Sequence, residues 1–370
     1  MFGTGKNIYV PFLRDTPCVL LFFVVDSQHM RRHIQKLTTI ASVLMLLCVS
    51  IVHADVGGGS TSISRERIGY LSAGDTHTCV VLVDNSVKCF GLGSEGQLGN
   101  ESTSKIGDGI GASVASSSAI SLGLGRSARA IATGTSHTCA LLDNMTVKCW
   151  GSGLYGRTGY GDSNNRGDNS GEMGEGLPAV DLGSGRTATM IAAGGAETCA
   201  VLSDNRVQCW GRNNKGQLGN GTSGNTAVST PVYTSFVPAW FTVAHLEIGS
   251  AHTCAISVLG AAWCWGQFTD GRLGTTASSN AVTPTATASL GSTATEVAAG
   301  TAHTCALLTA GSVTCFGSND KGQLGQALAT ASSSTPTLVS LTATATHVSA
   351  GKQFTCSLLS TAAVHCFGDN

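Results

Sequence analysis

The chain has 370 residues, with 21 Lys and Arg against 22 Asp and Glu, and charged residues are only 12% of it beside 48 glycines and 14 cysteines. Charge this sparse and balanced supplies no basic stripe to track phosphates, which argues against a nucleic-acid partner. The excess of small residues suits tight turns and short strands rather than helices.

The first 29 residues resemble nothing that follows. Met30-Arg31-Arg32-His33-Ile34-Gln35-Lys36 gives a basic start, Leu37 to Val52 an apolar run of sixteen, and Val52-His53-Ala54 small residues at the −3 and −1 positions of a cleavage site. This is the three-part layout of a secretory signal peptide, with Met30 as the expected start and cleavage after Ala54. The run falls short of the roughly 20 residues of a membrane span, so none is expected in the mature chain; an uncleaved anchor is the alternative. The chain thus divides into a leader, 1–54, and a second unit, 55–370. The leader holds five Lys/Arg and two Asp/Glu, leaving 16 and 20 and a net charge of −4 beyond it.

The second unit writes one stretch six times. Its clearest copy is His137-Thr138-Cys139-Ala140-Leu141-Leu142, a turn, then Val147-Lys148-Cys149-Trp150-Gly151. Cysteines ten apart recur at Cys79/Cys89, Cys139/Cys149, Cys199/Cys209, Cys254/Cys264, Cys305/Cys315 and Cys356/Cys366. Side chains alternate between faces along a strand, and here both sets are apolar, so each copy reads as a β-hairpin buried on both sides. The odd-numbered loop favours a turn closed by one left-handed residue. Asn85, Asn205, Gly260 and Gly311 at that place tolerate it, with Met145 and Ala362 as exceptions. Directly opposed cysteines lie within disulfide reach; the alternative is twelve buried thiols that only pack. Without Cys18 and Cys48 of the leader, the twelve that remain all fall in the six pairs, as expected in an oxidising compartment.

Around the hairpin, other features keep phase. A small-residue strand ending in Gly precedes five copies, as at Ile131-Ala132-Thr133-Gly134 and Val297-Ala298-Ala299-Gly300. After the hairpin come aromatic-Gly and then Gly96-Gln97-Leu98-Gly99 or its kin, with a fourth strand opened by proline at Pro178, Pro284 and Pro336. First cysteines stand 60, 60, 55, 51 and 51 residues apart, periods that fit a propeller or array of short strands.

The pattern His-x-x-Ala-Leu, turn, Val-x-x-Trp-Gly, then Gly-Gln-Leu-Gly and a proline-opened strand resembles the regulator-of-chromosome-condensation repeat family, over roughly Ile68 to Gly368. The resemblance implies an all-β fold, a β-propeller of four-stranded blades, most often seven. This chain departs with six copies and a cysteine pair in each. Taking the proline-opened strand as the first of each blade, the first blade draws that strand from about Val56 to Arg65. Six whole blades then fit, as a closed ring or one open at a seam.

Candidate sites are few. His77, His137, His252 and His303 stand two residues before a cysteine, but a closed set of four zinc ligands is lacking, and Glu197 and Phe354 replace His in two copies. Turn histidines are expected, and no metal. The longest loop, Gly159 to Gly176, gathers Asp162, Arg166, Asp168, Glu172 and Glu175. Arg166 and Met173 occupy places where a calcium loop puts oxygen ligands, and Arg166-Gly167-Asp168 matches an integrin-binding tripeptide. A loop that tunes partner choice is the reading taken. Asn100, Asn144 and Asn220 head glycosylation sequons.

No nucleophile elbow, phosphate loop or free thiol marks catalysis, and no cofactor is expected. The sequence therefore reads as a secreted or cell-surface, monomeric, non-catalytic scaffold that binds a protein or other macromolecule through its loops. Alternatives are a guanine-nucleotide exchange factor for a Ran-like GTPase, implied by the resemblance, and a secreted hydrolase or lectin.

Overall fold

The computed structural model describes residues 68–108, 113–114, 116–235, 241–276, 278–328 and 331–369. The expected leader, and the strand expected between Val56 and Arg65, lie outside the described residues.

Twenty-one strands form six antiparallel sheets. The first sheet holds β1 (Ile68–Ala73), β2 (His77–Leu82) and β3 (Val87–Gly91), and the second β4 (Ala128–Thr133), β5 (His137–Leu142) and β6 (Val147–Gly151). The third is β7 (Ala188–Gly194), β8 (Glu197–Leu202), β9 (Val207–Asn213) and β10 (Gly224–Tyr233), and the fourth β11 (Val243–Ile248), β12 (His252–Ser257), β13 (Ala262–Gly266) and β14 (Ala281–Ala286). The fifth comprises β15 (Ala294–Ala299), β16 (His303–Leu308), β17 (Val313–Ser318) and β18 (Ser332–Leu338), and the sixth β19 (Ala345–Ala350), β20 (Phe354–Leu359) and β21 (Val364–Gly368). The inner strands β1, β4, β7, β11, β15 and β19 contact one another in that order and enclose a central cavity of about 440 Å³. This is a six-bladed β-propeller.

The hairpins follow from their sequence. β2, β5, β8, β12 and β16 are buried along their whole length, as apolar residues on both faces require. Each pair of cysteines sits in direct register and is joined by a disulfide. The turn takes its left-handed residue in all six copies, Met145 (φ 66°) and Ala362 (φ 63°) included. Sequence tolerance thus sets which residue is comfortable there, while the register of the ladder sets that the position is left-handed.

The blade phase differs from the expectation. The proline-bearing strand is the outermost of the preceding hairpin's sheet, not the first of the next blade. Pro231, Pro284 and Pro336 lie within β10, β14 and β18, on sheet edges where a missing N–H removes no ladder bond. Pro178 lies in no strand, and in the first two sheets the outer pairing shrinks to the single bridges Gly91–Ile106 and Gly151–Arg166.

Five apolar clusters glue consecutive sheets. Each pairs the cysteine face of one blade with the opposite face of the next; Cys139, Leu141, Val147 and Cys149 meet Ala188, Ile191, Ala200 and Trp210 in the second junction. Between the sixth and first sheets the described residues form no such cluster. An ion pair spans it, Lys352 Nζ to Asp75 Oδ2 at 3.7 Å. Among the described residues no helix is long and apolar enough to cross a membrane.

Candidate functional site

The recurring histidines are couplers between blades. His77 Nε2 meets Thr138 Oγ1 at 2.7 Å, His137 meets Thr198 at 2.8 Å, His252 meets Thr304 at 2.9 Å and His303 meets Thr355 at 2.9 Å. Each threonine spends its own proton on the preceding blade: Thr138 donates to Gln97 O, Thr198 to Arg157 O, Thr304 to Arg272 O and Thr355 to Gln323 O. The histidine must therefore donate from Nε2, which fixes a neutral tautomer. Burial holds these rings neutral, His77 down to about 3, His303 down to about 4, and His137 and His252 well below the usual range. At the third-to-fourth junction Glu197 replaces histidine. Burial raises its carboxyl well above the ordinary range, and Thr253 still donates to Gln217 O. Among the described residues no group of three His, Cys, Asp or Glu could hold a metal ion.

The glycine turns complete the coupling. Gln97, Gln217 and Gln323 are buried and accept, through Oε1, the N–H two residues back (Glu95, Lys215, Lys321) at 2.8 Å. Trp150 and Trp210, fully buried, donate to Gln97 O and Arg157 O of the preceding blade. At one mouth of the cavity consecutive sheets approach so closely that a Cβ on Gly249 or Gly300 would strike the next blade's Gly300 or Gly351 carbonyl.

The loop Gly159 to Gly176 is a strap across the first two blades. Glu101 Oε1 accepts the N–H groups of Gly171 and Met173 at 2.9 and 3.0 Å, and Asn165 donates to Glu95 at 2.8 Å. The five site residues expected from sequence are gathered here; four are engaged, while Asp168 keeps a buried Oδ1 with no hydrogen-bond partner. Arg166 grips both oxygens of Asp162 at 3.0 and 2.9 Å and lies over the Tyr160 ring. The Arg166 hydrogen bond holds the Asp162 carboxyl below its usual range, while burial, then Glu172, raises that of Asp168. Glu172 accepts the turn N–H groups of Gly167 and Asn169, and Glu175 accepts the N–H of Leu124. The tripeptide Arg166-Gly167-Asp168 is thus part of the strap's internal pairing rather than a projecting tip.

Titratable side chains that the sequence reading missed line one side of the cavity. They are His245 and Glu247 on β11 and Glu296 on β15, with His347 of β19 beside Glu296 but outside the lining. A bulge early in each inner strand brings Tyr70, Ala130, Met190, His245, Glu296 and His347 to one position. Val348 N–H donates to Glu296 Oε2 at 3.0 Å, and His347 Nδ1 lies 3.7 Å from Oε1. Burial pushes the Glu247 carboxyl up to about 7, with a contribution from Glu296, and holds His245 down to about 4. The signal was the misfit of Val243-Ala244-His245-Leu246-Glu247-Ile248 to the small-residue pattern of the other inner strands.

Two models of the "Regulator of chromosome condensation (RCC1) repeat" match this chain, one at 70–97, 128–157, 190–217 and 294–323, the other at 204–256, 260–307 and 310–358. Together they cover more than half of it. Among curated proteins the chain is 28% identical over 273 residues to the ultraviolet-B receptor UVR8 of Arabidopsis thaliana, 73% of this chain and 58% of the receptor. It is 29% identical over 268 residues to the human E3 ubiquitin-protein ligase HERC2, 72% of this chain but 5% of the ligase. The crystal structure of human WBSCR16 superposes with a TM-score of 0.67 at 21% identity, covering 81% of this chain and 74% of that one. Prp20p of Saccharomyces cerevisiae, described with its binding to Gsp1p and histones, gives 0.66 at 19%, covering 79% and 68%.

Proposed function

The chain belongs to the regulator of chromosome condensation (RCC1) repeat family, and from that premise we propose that it is a secreted or cell-surface, monomeric, non-catalytic propeller that binds a protein or other macromolecule through its connectors. The observation that carries this reading is the frame. Six disulfide-joined hairpins and the buried His–Thr–carbonyl couplers hold the blades, so the connectors are the part free to differ. The disulfides also support the compartment, because such pairs persist outside the reducing cytosol. The strap over the first two blades supports a preformed binding surface, which loses little ordering entropy on association.

The test expresses the chain from Met30 and follows it into the medium, then compares partner capture there by the intact chain and by one whose Gly159 to Gly176 strap is replaced with a short Gly-Ser link. Export, and loss of captured partner with the link, are expected; retention inside the cell, or capture indifferent to the strap, rejects the reading. Nucleotide release from a Ran-type GTPase should be unaltered by the protein, and acceleration would favour the exchange-factor alternative.

A secreted hydrolase or lectin has one observation behind it. Glu247, Glu296 and His245 share the central cavity with Tyr70, and its volume of about 440 Å³ suits a small polar ligand. Saccharide binding that is abolished in Glu247→Gln or Glu296→Gln would favour it.

A further inference from the structure

The six disulfides are not equivalent. Cys79, Cys139, Cys149, Cys199, Cys209, Cys254, Cys264, Cys305 and Cys315 are fully buried, and Cys89 is 3% exposed. Each of these five pairs lies in an apolar cluster beneath the next blade, and the first sulfurs of four pairs touch that blade's threonine, as Cys305 Sγ touches Thr355 Oγ1 at 3.5 Å. The sixth pair points the same way from its own sheet, into the junction where the described residues form no cluster. There Cys356 is buried, but Cys366 is exposed, and Leu358 and Val364 on the same face are only half-buried. Phe367, one residue on and facing backward, still packs against the fifth blade, half-buried where Trp210 and Phe316 are fully buried. β21, the outer strand of a three-stranded sheet, is thus less buried than its counterparts on both faces, and Cys366 is exposed at its middle while the ladder keeps its register.

We propose that Cys356–Cys366 is a thiol-exchange site, the one bridge of the six that a small thiol can attack in the folded protein. The thiolate attacks Cys366 Sγ and a new S–S bond forms there. The Cys356–Cys366 bond breaks, and Cys356 leaves as a thiolate that takes a proton from water. A second thiolate attacking the mixed disulfide releases the Cys366 thiolate, so that two thiols are oxidised for one bridge reduced. The intermediate is a covalent adduct on the last strand, at the edge of the seam.

The test treats the oxidised full-length chain with glutathione, quenches with an alkylating reagent, and maps adducts and labels by mass at successive times. A glutathione adduct on Cys366 and a label on Cys356 should appear at least about tenfold faster than a change at any other pair, because the others react only after local opening. That first phase should be insensitive to low concentrations of urea and absent from Cys356→Ser/Cys366→Ser, with the slower phases unchanged. Opening of another pair first or together with it overturns the proposal. So does a first phase that accelerates with urea, since that would mark fraying of the blade.

Discussion

The fourth-to-fifth junction and the sixth-to-first junction are built from the same repeat yet are different objects. In the former, Cys254, Ile256 and Cys264 press on Ala294, Val297, Ala306 and Phe316, and His252, Thr304 and Arg272 O form a buried chain. In the latter, the donor position is Phe354, no hydrogen bond to the Thr78 hydroxyl forms among the described residues, and Lys352 meets Asp75 at the surface. A repeat supplies half of each contact, and that half is worth little until a neighbour presents the other.

The contrast can be broken or sharpened by substitution. Trp210→Ala, in a sealed junction, should cost about 3–5 kcal/mol in denaturant unfolding. Phe90→Ala, at the same register position on the half-buried outer face of the first sheet, should cost only about 1–2 kcal/mol. Equal losses would mean that the seam is sealed.

Next is pH. The folded His303 titrates at about 4 and the unfolded one at 6.5, so the unfolded chain takes up the proton first. The stability this ring contributes is whole above 6.5 and is lost as pH falls toward 4. His303→Phe, which copies Phe354, should remove that slope, worth up to about 3 kcal/mol across the window. Parallel melting curves of the two proteins against pH would contradict it.

Thr304→Val strands the His252 N–H and the Arg272 carbonyl and should cost about 1–3 kcal/mol, whereas Thr78→Val should be nearly neutral. Smallest of all, Lys352→Ala should change stability by about 0–1 kcal/mol, with any effect vanishing at high salt. A larger, salt-independent loss would show that this ion pair holds the ring shut.

How much of this could be read beforehand depends on range. Cys139 and Cys149 are joined by a short turn, so their pairing, the buried faces and the left-handed turn follow from local alternation. The outer strand's allegiance does not. Pro284 is equally near two hairpins in sequence, and only the return path through Gly271 to Gly274 assigns it to the first. Met145 and Ala362 looked like exceptions because residue preference was weighed without the ladder that overrules it. The titratable groups of the inner strands were hidden for a similar reason. His245, Glu296 and His347 lie about 50 residues apart, and the early bulge that aligns them is invisible in composition.

The coupling is also directional. Where the coupler forms, the histidine reaches forward and the threonine back, so each such blade has a leading and a trailing side that are complementary but never alike. Nothing in such a link records how many have been joined. A repeat duplicated between the fourth and fifth blades would meet familiar partners on both flanks, so the chemistry of the joint does not by itself set how many blades there are.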